Sequence, residues 1–147
     1  MDPSRAREIL FEASRLRVPK FRHEPEGDKA RHTQQEKVHL LECWAVDAAR
    51  WRSFLEEARL WMDEAVHRLT LEWQALDNWE ENLPEGKKAK DATKEVITEA
   101  KRKTNPDLFK GLSDGKHLVS QLSGQIRRIE KDEERVSRIY TFITGGA

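Results

Sequence analysis

Residues 34–83 read QQEKVHLLECWAVDAARWRSFLEEARLWMDEAVHRLTLEWQALDNWEENL. With Leu41 at heptad position a, the a series is Leu41, Ala48, Leu55, Met62, Leu69, Leu76 and Leu83. The d series is Trp44, Trp51, Ala58, Ala65, Glu72 and Trp79. Every position but Glu72 is apolar, and only a helix keeps such a repeat on one face. Leu40, Phe54, Trp61, Val66 and Trp73 flank the seam. The stripe is therefore wider than a two-stranded coiled coil needs, and it suits a helix packed against two or more others. Thr33-Gln34-Gln35-Glu36 is a capping box at the start, with Asp28 as a competing, earlier cap. Nothing breaks the pattern before Pro84 and Gly86, so the spacing predicts one helix over 34–83, about 75 Å long.

Outward from this helix, Asp2-Pro3 reads as an N-cap followed by proline at the first helical position. It opens a short helix over about 3–17 that stops before Pro19, because proline disfavours helical backbone in the residue preceding it. Residues 18–32 read as a loop. A short basic helix is expected over 87–103, with Ala89, Ala92, Val96, Ile97 and Ala100 on one side. Asn105-Pro106-Asp107 then repeats the cap-then-proline start and opens a helix over 106–144. Leu112, Val119, Leu122, Ile126, Ile129, Val136, Tyr140 and Ile143 follow a near-heptad there, broken by Glu133. Gly111 and Gly115 are expected to interrupt this helix early, with Ser113 as an alternative cap, and Gly145-Gly146 ends it.

These elements predict a single all-α domain over 1–147: an elongated, coiled-coil-like antiparallel helical hairpin or bundle. One very long central helix forms its spine, and the short N-terminal helix docks at one end. Composition agrees. Charged and hydrophobic residues each make up 37% of the chain, which is lean for a sphere but fits helices that each bury one stripe. Five Trp and five Phe argue against disorder.

The 27 basic and 27 acidic residues cancel, leaving no global field to recruit nucleic acid or membrane. Their distribution is uneven: residues 42–85 carry a net −7 and residues 86–104 a net +4. The single cysteine, Cys43, excludes an intramolecular disulfide. There is no apolar signal core at the N-terminus and no run approaching a membrane span. The expected location is cytoplasmic, in the host cytoplasm if the protein is phage-encoded.

No motif supports catalysis or a cofactor. Glu-x-x-His occurs as Glu36…His39 and Glu64…His67, a spacing that supplies metal ligands in ferritin-like bundles. Here the copies lie 28 residues apart on one expected helix, and both His residues fall at position f, away from the seam. A solvated face is the better reading, and no metal is expected. Cys43, at position c, has no evident base or oxyanion donor nearby. His23, His32 and His117 belong to no triad-like arrangement, and no phosphate-binding glycine loop or cysteine pair for zinc is present. No enzyme activity, cofactor or small-molecule substrate is expected.

Two kinds of surface remain. Trp44, Trp51 and Trp79 at d positions read as core, whereas Trp61 and Trp73 at the shoulders are candidate anchors for a protein partner or a second copy. Arg15, Arg17, Lys20, Phe21, Arg22 and His23 interleave basic and aromatic residues. Lys87, Lys88, Lys90, Lys94, Lys101, Arg102 and Lys103 form a second basic stretch. Either could contact nucleic-acid phosphates, although the second could instead simply complement the acidic helix.

Gln125-Ile126-Arg127-Arg128-Ile129-Glu130-Lys131-Asp132, followed by Ser137-Arg138-Ile139-Tyr140-Thr141-Phe142-Ile143-Thr144-Gly145, is similar to the endings of small helical proteins encoded by bacteriophages of actinobacteria. The resemblance implies a viral origin and carries over no functional residue. The expected function is a non-enzymatic helical interaction protein, with a nucleic-acid-binding accessory role as the alternative.

Overall fold

The computed structural model describes residues 1–21 and 32–145. All regular structure among them is helical: α1 (Pro3–Ser14), α2 (Gln34–Gln74), α3 (Lys94–Thr104) and α4 (Pro106–Ile143), with short 3-10 helices at Trp79–Asn82 and Ala89–Asp91. The chain divides into two compact units, Met1–Arg59 with Gln121–Ala147, and Leu60–Ser120. Arg22, His23, the competing cap Asp28 and Gly146 lie outside the described residues.

Each α-helix starts at a side chain that fits the role. Asp2 Oδ1 accepts the Arg5 amide at 2.9 Å, Thr33 Oγ1 the Glu36 amide at 3.1 Å, Thr93 Oγ1 the Val96 amide at 3.3 Å, and Asn105 Oδ1 the Leu108 amide at 3.1 Å. Each satisfies one of the amides a helix start leaves open, worth about 1 kcal/mol.

Three boundaries differ from the sequence expectation. α1 stops at Ser14, not near residue 17. Its last turn tightens through Arg15 N–H to Glu12 O and Leu16 N–H to Ala13 O, both 3.2 Å. α2 stops at Gln74, not at residue 83. Asn78 takes the left-handed conformation (φ 63°), which Asn tolerates better than most residues, and the chain then re-enters a 3-10 helix. Leu76, Trp79 and Leu83, which extend the heptad on paper, are half-buried outside α2. α3 begins at Lys94, not at residue 87. Gly86 (φ 81°) turns the chain first, and Thr93 provides the cap that Lys87 and Lys88 cannot.

α4 runs unbroken through Gly111 and Gly115, contrary to the expected interruption with Ser113 as a cap. Gly115 is buried, and a Cβ there would lie 2.8 Å from Val66 Cγ2 and 3.7 Å from Met62 Cε. This glycine admits a neighbouring helix; it does not end its own.

In the first unit the heptad of α2 is realised almost position by position. Leu41, Trp44, Ala48, Leu55 and Ala58 are buried, and Trp51 is half-buried. Ile9 of α1 and Leu122, Ile126, Ile129 and Val136 of α4 are buried as well. Full burial of side chains such as Leu41, Leu55, Leu122 and Ile129 contributes about 1.5–3 kcal/mol each. Glu133, the break in the α4 pattern, faces Arg52: Nε donates to Oε1 at 2.7 Å and Nη2 to Oε2 at 3.3 Å. That two-point bond holds the Arg52 guanidinium above its ordinary pKa. Arg128 Nη2 donates to Ala13 O at 2.7 Å and Nη1 to Leu16 O at 3.1 Å. A cation thus caps the carbonyl end of α1, where the helix dipole favours it.

In the second unit Met62, Ala100, Leu108, Leu112 and Leu118 are buried, while Ala65 and Leu69 are half-buried and Glu72 is exposed. α3 packs against the 3-10 helix Trp79–Asn82, where Asn82 Nδ2 donates to Thr104 Oγ1 at 2.8 Å.

Candidate interaction surfaces

The shoulder tryptophans have different surroundings. Trp73 belongs to a cluster internal to the second unit. Its ring lies 5.9 Å from Phe109, and Lys101 Nζ sits 5.5 Å from its centroid and 5.9 Å from that of Trp79. The same ammonium donates to Trp73 O at 3.0 Å. Lys101 thus sits near two indole rings while donating to a carbonyl at the end of α2 that also accepts from the Leu76 amide at 3.4 Å. Two sequence candidates of opposite kinds, an interface tryptophan and a phosphate-binding lysine, are brought together and engaged with each other.

Trp61 is half-buried on α2. Beside it stand two exposed leucines that the sequence reading passed over: Leu60 is 62% and Leu71 52% exposed, with the exposed Glu64 and His67 between them on the same face. Eleven residues make three helical turns, so the two leucines lie within about 20° of one line, roughly 16 Å apart. Heptad positions f and c, which Leu60 and Leu71 occupy, belong to solvent. Leucine at those positions was the available signal.

The basic candidates also divide. Arg15 pairs with Glu12 at 3.9 Å and lies 5.9 Å from the Phe11 ring centroid. Arg17 donates to the carbonyls of Ser14 and Leu16. Phe21 stacks edge-on against His32 at 5.5 Å, with Lys37 Nζ 5.6 Å from its ring. Arg102 pairs with Glu99, raising its own pKa and lowering that of the carboxyl. Lys20, Lys87, Lys88 and Lys103 are exposed and enter none of the ion pairs among the described residues. The +4 segment makes no ion pair with the −7 segment among those residues. Its one polar link to α2 is the Lys101 bond to Trp73 O.

Among the described residues no three His, Cys, Asp or Glu side chains converge as a metal-binding group. Both Glu-x-x-His pairs are exposed. Cys43 is exposed, with His39 Nε2 3.5 Å from its Sγ. No helix among the described residues is long and apolar enough to cross a membrane. No family model, curated protein or solved structure matches the chain.

Proposed function

We propose that this chain is a non-enzymatic helical interaction protein that binds a protein partner or a second copy of itself. The observation that carries the reading is the exposed pair Leu60 and Leu71 on one face of α2, with the half-buried Trp61 next to Leu60. These are apolar side chains on the side of α2 turned away from its packed stripe. Exposed leucine scattered singly needs no explanation, but two on one face of a helix, three turns apart and bracketing Glu64 and His67, are anchor positions that a partner helix can use. Each unit, taken by itself, has contacts between α2 and α4 that support an antiparallel pairing. In the first unit Gln34 bonds Ile143, Glu42 bonds Tyr140 and Arg52 bonds Glu133. In the second, Val66 lies against Gly115 and Leu69 against Gly111. Within each unit, higher residue numbers on α2 meet lower numbers on α4.

The test is Leu60→Ser with Leu71→Ser. Exposed positions tolerate such changes within about 0.5 kcal/mol of stability. Each leucine fully buried at an interface contributes about 1.5–3 kcal/mol, so association falls more than tenfold per side chain at 1.4 kcal/mol per decade. Unaltered association in the folded double variant excludes this surface.

A second reading, nucleic-acid binding, is favoured by the exposed Lys20, Lys87, Lys88 and Lys103, which enter no ion pair among the described residues. Its sign is affinity that falls steeply with salt, and a mobility-shift titration at low salt without a shift disposes of it. A viral origin, and with it a place in the host cytoplasm, is part of the proposal and rests on the C-terminal resemblance.

A further inference from the structure

In the first unit α4 buries Leu122, Ile126, Ile129 and Val136, and its opposite side carries a pattern of a different kind. At about 3.6 residues per turn, Arg127, Lys131, Arg135, Arg138 and Phe142 fall within about 80° of the helix circumference. All five are exposed, Phe142 to 87%. None of the four cations enters an ion pair among the described residues. The acidic residues of the same stretch, Glu130, Asp132, Glu133 and Glu134, fall outside that sector, and two of them are already taken, Asp132 by Arg128 and Glu133 by Arg52. The row spans about 16 Å from Arg127 to Arg138 and about 22 Å to Phe142. Its Arg127 end adjoins the N-terminal basic segment: Arg128 donates to the carbonyls of Ala13 and Leu16, and the exposed Arg15 and Arg17 flank Leu16.

We propose that this face of α4 binds single-stranded nucleic acid, with the four cations along the phosphates and Phe142 stacked on a base. The inference rests on the nucleic-acid reading above and gives it a defined surface in place of scattered lysines. Like charges held in a row repel one another, and a polyanion relieves that repulsion while releasing its own counterions. The aromatic at the end of the row indicates which polyanion. A phenyl ring held in water beside cations is a stacking platform that accepts any base. A duplex fits less well, because a helix in the major groove has phosphates on both flanks and α4 carries Glu130 and Glu134 on one of them. A membrane surface also fits less well, since the apolar side of α4 is buried in the first unit and cannot insert.

The experiment is fluorescence anisotropy of labelled oligothymidylate, with oligouridylate beside it to separate a DNA partner from an RNA one, titrated with the full chain over a series of salt concentrations. Binding of either strand is expected. Log affinity should fall against log salt with a slope of about −3, since four phosphates neutralised on a single strand contribute about −0.7 each. Arg127→Gln/Lys131→Gln/Arg135→Gln/Arg138→Gln should remove binding. Phe142→Ala should weaken it about tenfold at unchanged slope, because stacking on one base is worth about that factor. These positions are exposed, and far-ultraviolet circular dichroism verifies that the variants fold. Lys87→Gln/Lys88→Gln/Lys103→Gln should bind as the wild type does. No anisotropy change at low salt overturns both this site and the nucleic-acid reading. Binding that is lost with the three lysine substitutions and kept with the four on α4 overturns the site alone. Tighter binding of a duplex, of polyglutamate or of phosphatidylserine vesicles, with Phe142→Ala without effect, gives the face to another partner and overturns the proposal too.

Discussion

Replacing Gly115 by alanine isolates the packing of α2 against α4 in the second unit. A Cβ at that position would stand 2.8 Å from Val66 Cγ2, about 1 Å inside the optimal carbon–carbon separation of 3.5–4.0 Å. Val66 cannot turn aside cheaply, because a β-branched side chain in a helix has one strongly preferred rotamer. Forcing a methyl into such a space costs about 1–3 kcal/mol, and exchanging glycine for alanine in a helix returns about 0.8–1.0 kcal/mol. The net expectation is destabilisation by about 1 kcal/mol. Gly124, in the same helix, is the internal control. A Cβ there has nothing within 4 Å, so Gly124→Ala should stabilise by about 0.4–1 kcal/mol. Urea unfolding reads both. Tryptophan emission follows Trp61, Trp73 and Trp79 in the second unit and Trp44 and Trp51 in the first, and far-ultraviolet circular dichroism follows the helices together. With slopes of about 1–3 kcal/mol per molar urea, the two midpoints should move in opposite directions by several tenths of a molar. Val66→Ala combined with Gly115→Ala should recover much of the loss by removing the clashing methyl groups. The reasoning fails if Gly115→Ala stabilises the protein as Gly124→Ala does, or if the Val66 change brings no recovery.

Lys101→Met keeps the aliphatic stem but removes the ammonium that serves Trp73, Trp79 and the Trp73 carbonyl. A loss of about 1–2 kcal/mol is expected, with a red shift in tryptophan emission as the indoles gain water. Arg128→Ala should destabilise the first unit by about 1.5–3 kcal/mol through the lost bonds to Ala13 and Leu16, and Arg128→Lys should restore only part of this because an ammonium lacks the guanidinium fork; urea midpoints report both. Glu99 has its carboxyl pKa depressed by Arg102, so its small contribution is complete above the ordinary carboxylate pKa and is lost as pH falls through the lower folded value. Carbon chemical shifts of Glu99 across an acid titration should place its midpoint below the ordinary range, and Arg102→Gln should return it there.

The heptad anticipated much of the first unit because burial there follows directly from side-chain period. Leu41, Trp44, Ala48, Leu55 and Ala58 fall where the period puts them. Beyond Gln74 the same period misled, since Leu76, Trp79 and Leu83 continue it in sequence while Trp79 opens a 3-10 helix and Leu76 and Leu83 lie outside any helix. Asp77-Asn78 was the local cue, two residues whose side chains compete for backbone bonds and whose conformers include the left-handed one. Gly115 read as a breaker because glycine lowers helix propensity, and its close approach to Val66 is visible only once two helices are paired. Arg128 was illegible for a related reason, as its partners are backbone carbonyls more than a hundred positions away. The surfaces divided similarly. Lys101 looked free in a run of lysines, whereas its aromatic partners come from a different part of the chain. Leu60 and Leu71 were visible in principle, as leucines at positions the register assigns to water.

The central claim is that Leu60 and Leu71 of α2 anchor an association surface. Its most direct measurement compares the wild-type chain and the Leu60→Ser/Leu71→Ser variant as paired baits in the native host, with light scattering of each purified protein and circular dichroism confirming equal helicity. Specific recovery of one partner, or a wild-type dimer, that is lost with the double variant is the result expected. Identical recovery and identical mass for the two proteins would contradict it.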